Sequence, residues 1–361
     1  MTGAILLKMI YGYSADQHKV DPLVEVNDLL IENFSSSSTP GQWLVDLLPV
    51  LKYVPDWMPG TGFKAMARKS QKINYVASEM PFQFAKSRVH GSKESIDPGP
   101  SFVGDLLRAY NDDSEFVNHA IKWSAASLYG AGIDTTGSSI GIFFLAMSLF
   151  PDVQKKAQQE IDDVLLGTER LPCFEDRQKF PYLNAVVKET QRWLPVVPMS
   201  IPHVADRDDV YQGFHIPKGA LLLTSTWWLT RDPQVYHDPE EFKPERYFAP
   251  FQEPDPASFI FGIGRRICTG RRVADSTMFL TVAKVLAAFD ISKGRDAEGR
   301  EIQPTIGLEP GVITKALPFS VKVVPRNEAY AELVKLVEIE HPLEKGDLVY
   351  LDQSVLDSVL H

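Results

Sequence analysis

Phe261, Gly264, Arg266, Cys268 and Gly270 form the pattern F-x-x-G-x-R-x-C-x-G. With each amino acid used at about one position in twenty, five fixed positions coincide by chance in roughly one window in three million. A loop punctuated by glycines can turn backbone N–H groups toward a cysteine sulfur. A helix beginning just after Cys268 would aim its positive end at the same atom, and both effects favour a thiolate. Such a sulfur could be a nucleophile, an axial ligand to haem iron, or a structural cysteine. A nucleophile needs a neighbouring histidine base, and the residues around this loop offer none.

Two further groups of residues could carry chemistry. Residues 131–136 read Ala-Gly-Ile-Asp-Thr-Thr inside a stretch, 114–150, that has no proline and few charges. That composition suits one long helix threading the middle of a domain. Gly130 and Gly132 cost about 1 kcal/mol each relative to alanine in a helix interior, so something must approach the backbone there. Asp134 and Thr135 could pass protons, or form a polar kink bonded to the preceding turn. Glu189 and Arg192, three residues apart, share one helical face, although pairs of this kind are usually solvated.

The elements that must hold these groups follow from periodicity and breakers. Residues 63–88 can run as one helix. After Pro151 the stripe Val153, Ala157, Ile161 and Val164 reads as an amphipathic helix ending near Gly167, and Pro181 opens another that closes before Pro195. Residues 210–216 and 221–226 read as two strands joined by a turn at Pro217, Lys218 and Gly219, with further strands around Ile313 and over 319–324. Residues 35–41 and 91–101 read as loops, and the prolines between 49 and 59 break that segment into short pieces. The sum is a mainly α protein with small β-sheets. Residues 1–330 form the domain, and 331–361 are an unassigned acidic extension.

Composition sets outer limits. The 361 residues are 44% hydrophobic and 23% charged, which suits a large core rather than a disordered or collagen-like chain. The net charge of −10 repels a polyanion, so nucleic acid is not an expected partner. Two cysteines, Cys173 and Cys268, permit at most one disulfide. The uncharged stretch 137–151 falls short of the roughly 20 residues a membrane span needs, and reads as a buried helix. No signal-peptide pattern opens the sequence.

Taken together, the cysteine loop, the 131–136 segment, Glu189-Thr190-Gln191-Arg192 and Pro244-Glu245-Arg246-Tyr247 resemble, in order, the motifs of the cytochrome P450 family, the haem-thiolate monooxygenases. The resemblance implies that Cys268 ligates the iron of haem b in a loop that includes Phe261, Gly264 and Gly270. It assigns Arg266 and His203 to the haem propionates, with His203 as a backbone-bonded strand residue the competing reading. It places Asp134 and Thr135 in oxygen activation, with the helix glycines leaving room over the haem. Glu189, Arg192 and Arg246 become a buried structural cluster supporting the haem loop. Leu128, Ala131, Val197, Ile201, Val312 and Ile313 would line an apolar pocket, so the substrate is expected to be a lipophilic small molecule. The segment 45–63 is similar to fungal members that act in secondary metabolism.

The same resemblance implies dioxygen as co-substrate and electrons from NADPH through a cytochrome P450 reductase. That partner would dock on Arg265, Arg266, Arg271 and Arg272, unless these only answer propionates and helix ends. It implies the cytosolic face of the endoplasmic reticulum, although no anchor is read in this chain. The family's N-terminal portion is not matched, so the expectation is a cytochrome P450 fold lacking that part, with unpaired strand edges near Ile201 and Leu222. Two other readings stay open: a remnant that cannot hold haem, and a haem-dependent isomerase or dehydratase.

Overall fold

The computed structural model describes residues 2–16, 19–38, 41–90, 99–110, 112–168, 170–342 and 344–360, and breakers and apolar spacing divide these described residues into thirteen α-helices and six strands. The helices up to the middle of the chain are α1 (Thr2–Tyr11), α2 (Pro22–Ser37), α3 (Leu44–Leu47), α4 (Gly62–His90), α5 (Phe102–Tyr110) and α6 (Glu115–Leu149). Then come α7 (Pro151–Val164), α8 (Pro181–Trp193), β1 (His203–Val204), β2 (Asp209–Tyr211), β3 (Phe214–Ile216), β4 (Leu221–Leu222) and α9 (Thr226–Leu229). The chain ends with α10 (Ala257–Ile260), α11 (Arg271–Ala288), β5 (Phe289–Lys293), β6 (Val321–Pro325), α12 (Glu328–Glu340) and α13 (Gln353–Leu360). The mainly α architecture with small antiparallel sheets is as the sequence predicts.

Two compact units result, one of Met1–Asp134 with Pro342–His361 and one of Thr135–His341. In the first, Leu7, Tyr11, Tyr13, Val26, Phe82, Val103, Ala125 and Tyr129 build the core. Asp21 caps α2 through Leu23 N–H at 3.0 Å and takes the Tyr13 hydroxyl at 2.9 Å, so one carboxylate starts the helix and fixes the chain entering it. In the second, α7, α8 and α11 pack with residues 142–147 of α6, around Phe143, Phe180, Leu183, Val186, Trp193 and Phe279. Phe150 stacks on Phe242 and meets Trp193 edge-on. Gln154 joins α7 to β5 by exchanging two hydrogen bonds with the Ile291 backbone, at 2.8 and 2.7 Å.

Residues 331–361, set apart by sequence as one acidic extension, are divided. Helix α12 belongs to the second unit, while the last segment packs into the first with Leu351, Leu356 and Val359 buried. Two of its acids are tied to the first unit: Asp347 accepts from Ser14 N–H and Arg88, and Glu344 from Lys8 and Ser14.

Three local expectations change. Residues 210–216 are a hairpin of their own, because Gln212 and Gly213 both take positive φ, 49° and 84°, and close a tight turn between β2 and β3. Strand β4 pairs with β1, His203 opposite Leu222, and not with the segment just before it. Ile313 lies outside the strands, near an isolated bridge between Leu308 and Ala316, whereas the 319–324 expectation becomes β6 paired with β5. Of the two predicted loops, residues 35–37 finish α2, while Thr39, Pro40 and residues 91–98 lie outside the described residues. Helix α6 is long and apolar enough to cross a membrane, with 61% of its most apolar window buried in the fold.

Candidate functional site

The cysteine loop is shaped by its glycines. Gly262 and Gly264 take φ of 81° and 65°, values that L side chains rarely adopt. These turns bring the Cys268 N–H to the Phe261 carbonyl at 2.7 Å, closing the loop on itself. Gly270 stands at the N-cap of α11, an 18-residue helix, so the sulfur sits two residues before the helix's positive end. Cys268 is exposed and forms no disulfide, and its thiol has no hydrogen-bond partner among the described residues. Arg265, Arg266, Arg271 and Arg272 are all exposed, and none has an ion-pair partner among the described residues. A free thiol with unpaired guanidinium groups nearby in sequence fits a thiolate-ligated group that carries its own anions.

Glu189, Arg192 and Arg246 are brought together with essentially no exposure. Arg192 donates Nε and Nη2 to Glu189, each at 2.9 Å, and its other N–H groups to the carbonyls of Thr230, Pro239 and Glu241. Arg246 donates Nε to Glu189 at 3.0 Å and Nη1 to Glu253 at 2.6 Å. Its remaining N–H groups reach the carbonyls of His237, Asp238 and Glu241. Both guanidinium groups thus use all five donors, and two arginines balance two glutamates. Burial alone would lower the Arg246 pKa, but Glu189 and Glu253 outweigh it and raise it. The sequence reading missed Glu253 and the hydroxyl of Tyr247, which donates to Glu189 at 3.0 Å. The neighbouring Pro-Glu-Arg-Tyr run was the available signal for Tyr247.

On α6, Leu128 and Thr135 are half-buried, Ala131 is exposed and Asp134 is buried. Leu128, Ala131 and Asp134 lie in the first unit and Thr135 in the second. The two glycines differ in their surroundings. A Cβ on Gly132 would stand 2.6 Å from Leu6 Cδ1, and one on Gly130 would meet Asn27, Leu30 and Ile31 at 3.7 to 3.9 Å. The close approach to Gly132 is therefore by helix α1, and packing within the first unit accounts for it.

Among the expected pocket residues of the second unit, Val197, Val312 and Ile313 are half-buried and Ile201 is exposed. Thr314 N–H donates to the Val196 carbonyl at 2.8 Å, which brings the 312–313 and 196–197 segments side by side. His203 is exposed in β1, and its Nδ1 contacts the Ile201 carbonyl at 2.9 Å, the backbone-bonded arrangement. The β1–β4 ladder has two strands of two residues each, all exposed. Among the described residues, no group of three or more histidine, cysteine or acidic side chains is arranged to hold a metal ion.

Comparison with known proteins points the same way as the motifs. The family model for cytochrome P450 matches residues 4–323. The chain is 43% identical over 352 residues to the cytochrome P450 monooxygenase claR of Ampulloclitocybe clavipes, covering 96% of this chain and 64% of the relative. It is 42% identical over 348 residues to the multifunctional cytochrome P450 monooxygenase af510 of Aspergillus fumigatus, covering 94% and 64%. Against the O-methylsterigmatocystin oxidoreductase of Aspergillus flavus the identity is 36% over 348 residues, covering 95% and 64%. The chain thus spans just under two thirds of the length of these relatives.

Proposed function

The chain belongs to the cytochrome P450 family, and from that premise we propose that it is a haem-thiolate monooxygenase oxidising a lipophilic small molecule in fungal secondary metabolism. The carrying observation is Cys268, an exposed thiol without a partner among the described residues, in a glycine-shaped loop at the start of α11. When bound, haem b supplies the activation of dioxygen, using two electrons from NADPH through a reductase.

The residues divide the remaining work. Cys268 Sγ is the iron ligand, and Arg266 answers a propionate, since a guanidinium matches a carboxylate. Phe261, Gly264 and Gly270 give the loop its course, and His203, exposed in β1, would answer the other propionate. Asp134 and Thr135, adjacent on α6, hold and pass protons at the carboxyl and hydroxyl oxygens. Val197, Ile201, Val312 and Ile313 in the second unit, and Leu128 and Ala131 in the first, are apolar side chains of the kind that exclude water and favour an apolar substrate. The exposed Arg265, Arg271 and Arg272 offer an acidic reductase a docking surface, and the cytosolic face of the endoplasmic reticulum is the proposed address.

The relatives' names, monooxygenase and oxidoreductase, support oxidation over isomerisation or dehydration. The fully bonded Glu189 cluster supports an intact fold in the second unit over a remnant unable to hold haem. The test is haem-loaded protein with a reductase, NADPH and ¹⁸O₂ against a panel of apolar polycyclic and terpenoid compounds. Incorporation of one labelled oxygen atom with matched NADPH consumption is expected. Oxygen uptake that never rises above background in fully haem-loaded protein contradicts the assignment.

A further inference from the structure

Residues 194–201 form no helix or strand, yet they carry Val197 and Ile201. Pro195 and Pro198 remove two backbone donors, so the segment cannot hold itself by a regular ladder. It is held from outside. Trp227 N–H donates to the Pro198 carbonyl at 2.8 Å, and Thr314 N–H to that of Val196. The guanidinium of Arg231, which lies over the Trp227 ring at 3.5 Å, donates to the Trp193 carbonyl at the entry to the segment.

The remaining tie is between side chains. Ser200 takes φ of 51°, the left-handed region, where a residue with a Cβ persists only if its surroundings hold it. Its N–H closes a turn on the Val197 carbonyl at 3.2 Å, and its hydroxyl meets that of Thr226 at 2.8 Å. Thr226 is 1% exposed and opens α9, so it is a rigid post. Beside this anchored turn, Met199 and Ile201 are exposed at 47% and 53%.

We propose that Thr226 is a positioning residue: through the Ser200 hydroxyl it fixes the 197–200 turn, and so sets which lipophilic molecules the wall formed by Val197 and Ile201 admits. This rests on the reading above that the segment faces the substrate. A hydroxyl pair that has lost one member leaves the other polar group without its partner, and the turn then relaxes toward a φ that serine adopts freely.

The test uses haem-loaded protein and a graded series of 1-alkylimidazoles, from propyl to octyl, titrated spectroscopically to give a dissociation constant for each. Thr226→Val is expected to change the ratio of long-chain to short-chain affinity about threefold to tenfold, the range of one hydrogen bond. Thr226→Ser, which restores the hydroxyl, should return the wild-type ratio. Ser200→Ala removes the tie from the other side, and the double variant Ser200→Ala with Thr226→Val should add nothing beyond either one. Val197→Ala and Ile201→Ala report on the wall itself. If they change the ratio while Thr226→Val and Ser200→Ala leave it as in wild type, the positioning role is overturned and the wall assignment stands. If neither wall variant changes it, the wall assignment fails and the positioning role with it. A lowered thermal midpoint with an unchanged ratio identifies a merely structural role, which also overturns the proposal.

Discussion

Glu189 and Arg246, 57 residues apart in the sequence, meet at 3.0 Å in a site with almost no exposure, where the same carboxylate also takes two donors from Arg192. A charge cluster of this type contributes little net stability compared with an apolar filling. Its weight appears when one member is removed, because the remaining charges stay buried and unpaired.

Glu189→Ala leaves two guanidinium groups facing a single carboxylate, Glu253. The loss expected from breaking a buried network is about 3–5 kcal/mol, read as a lower denaturant midpoint or failure to accumulate folded protein. Tyr247→Phe removes one hydrogen bond to Glu189 and should cost about 1–3 kcal/mol. A Glu189→Ala protein as stable as wild type would contradict the role of this cluster.

The two α6 glycines should respond with opposite sign. Gly130→Ala puts its methyl at ordinary contact distance and should gain up to about 1 kcal/mol in helix propensity. Gly132→Ala drives a methyl to 2.6 Å from Leu6 and should lose about 1–3 kcal/mol through overpacking. Leu6→Ala added to Gly132→Ala should recover part of that loss in a double-mutant cycle by thermal or denaturant unfolding. Equal effects at both glycines would refute the packing explanation.

The two thiols should label differently in haem-free protein. Cys173 lies 3.1 Å from the Asp176 carboxylate, and hydrogen bonds to Asp176 and Glu175 push its pKa up, which keeps it a poor nucleophile. Iodoacetamide at pH 8 should modify Cys268 well before Cys173 by peptide mapping. Faster labelling of Cys173 would contradict this.

Acid should reveal Asp176. Two hydrogen bonds from Arg170, at 2.6 and 2.9 Å, hold its carboxyl well below the usual range, with Cys173 and Lys179 adding to them. A lowered folded-state pKa contributes stability that is fully present above the unfolded value, about pH 4, and is lost as pH falls through the folded one. Asp176→Asn should therefore cost stability at pH 7, and its deficit against wild type should shrink below about pH 4. A deficit that stays constant from pH 7 to pH 3 would argue against the mechanism.

Particular residues show what the sequence made legible. Pro151, Pro181 and the apolar stripes after them set α7 and α8 within a residue or two, because a proline start and a 3.6-residue period are local signals. The turn around Cys268 and the helix start at Gly270 were legible because glycine spacing in one short loop is a local signal. The partners of β4 were not, since His203 lies 19 residues before Leu222 and two-residue strands leave no pattern. The Gln212-Gly213 turn was missed because glutamine is an unusual residue at positive φ. Glu253 and Thr226 act through tertiary contacts that no spacing encodes, and Leu6 gives Gly132 its reason from 126 residues away.

The haem-thiolate assignment stands on the Cys268 sulfur, and the carbonyl-bound, reduced absorption spectrum reads that bond directly. Haem-loaded wild-type protein and Cys173→Ala are expected to show the strongly red-shifted Soret band of thiolate ligation, and Cys268→Ala is expected to lose it. A Cys268→Ala protein that keeps the red shift, or a fully loaded wild type that never shows it, would contradict the account.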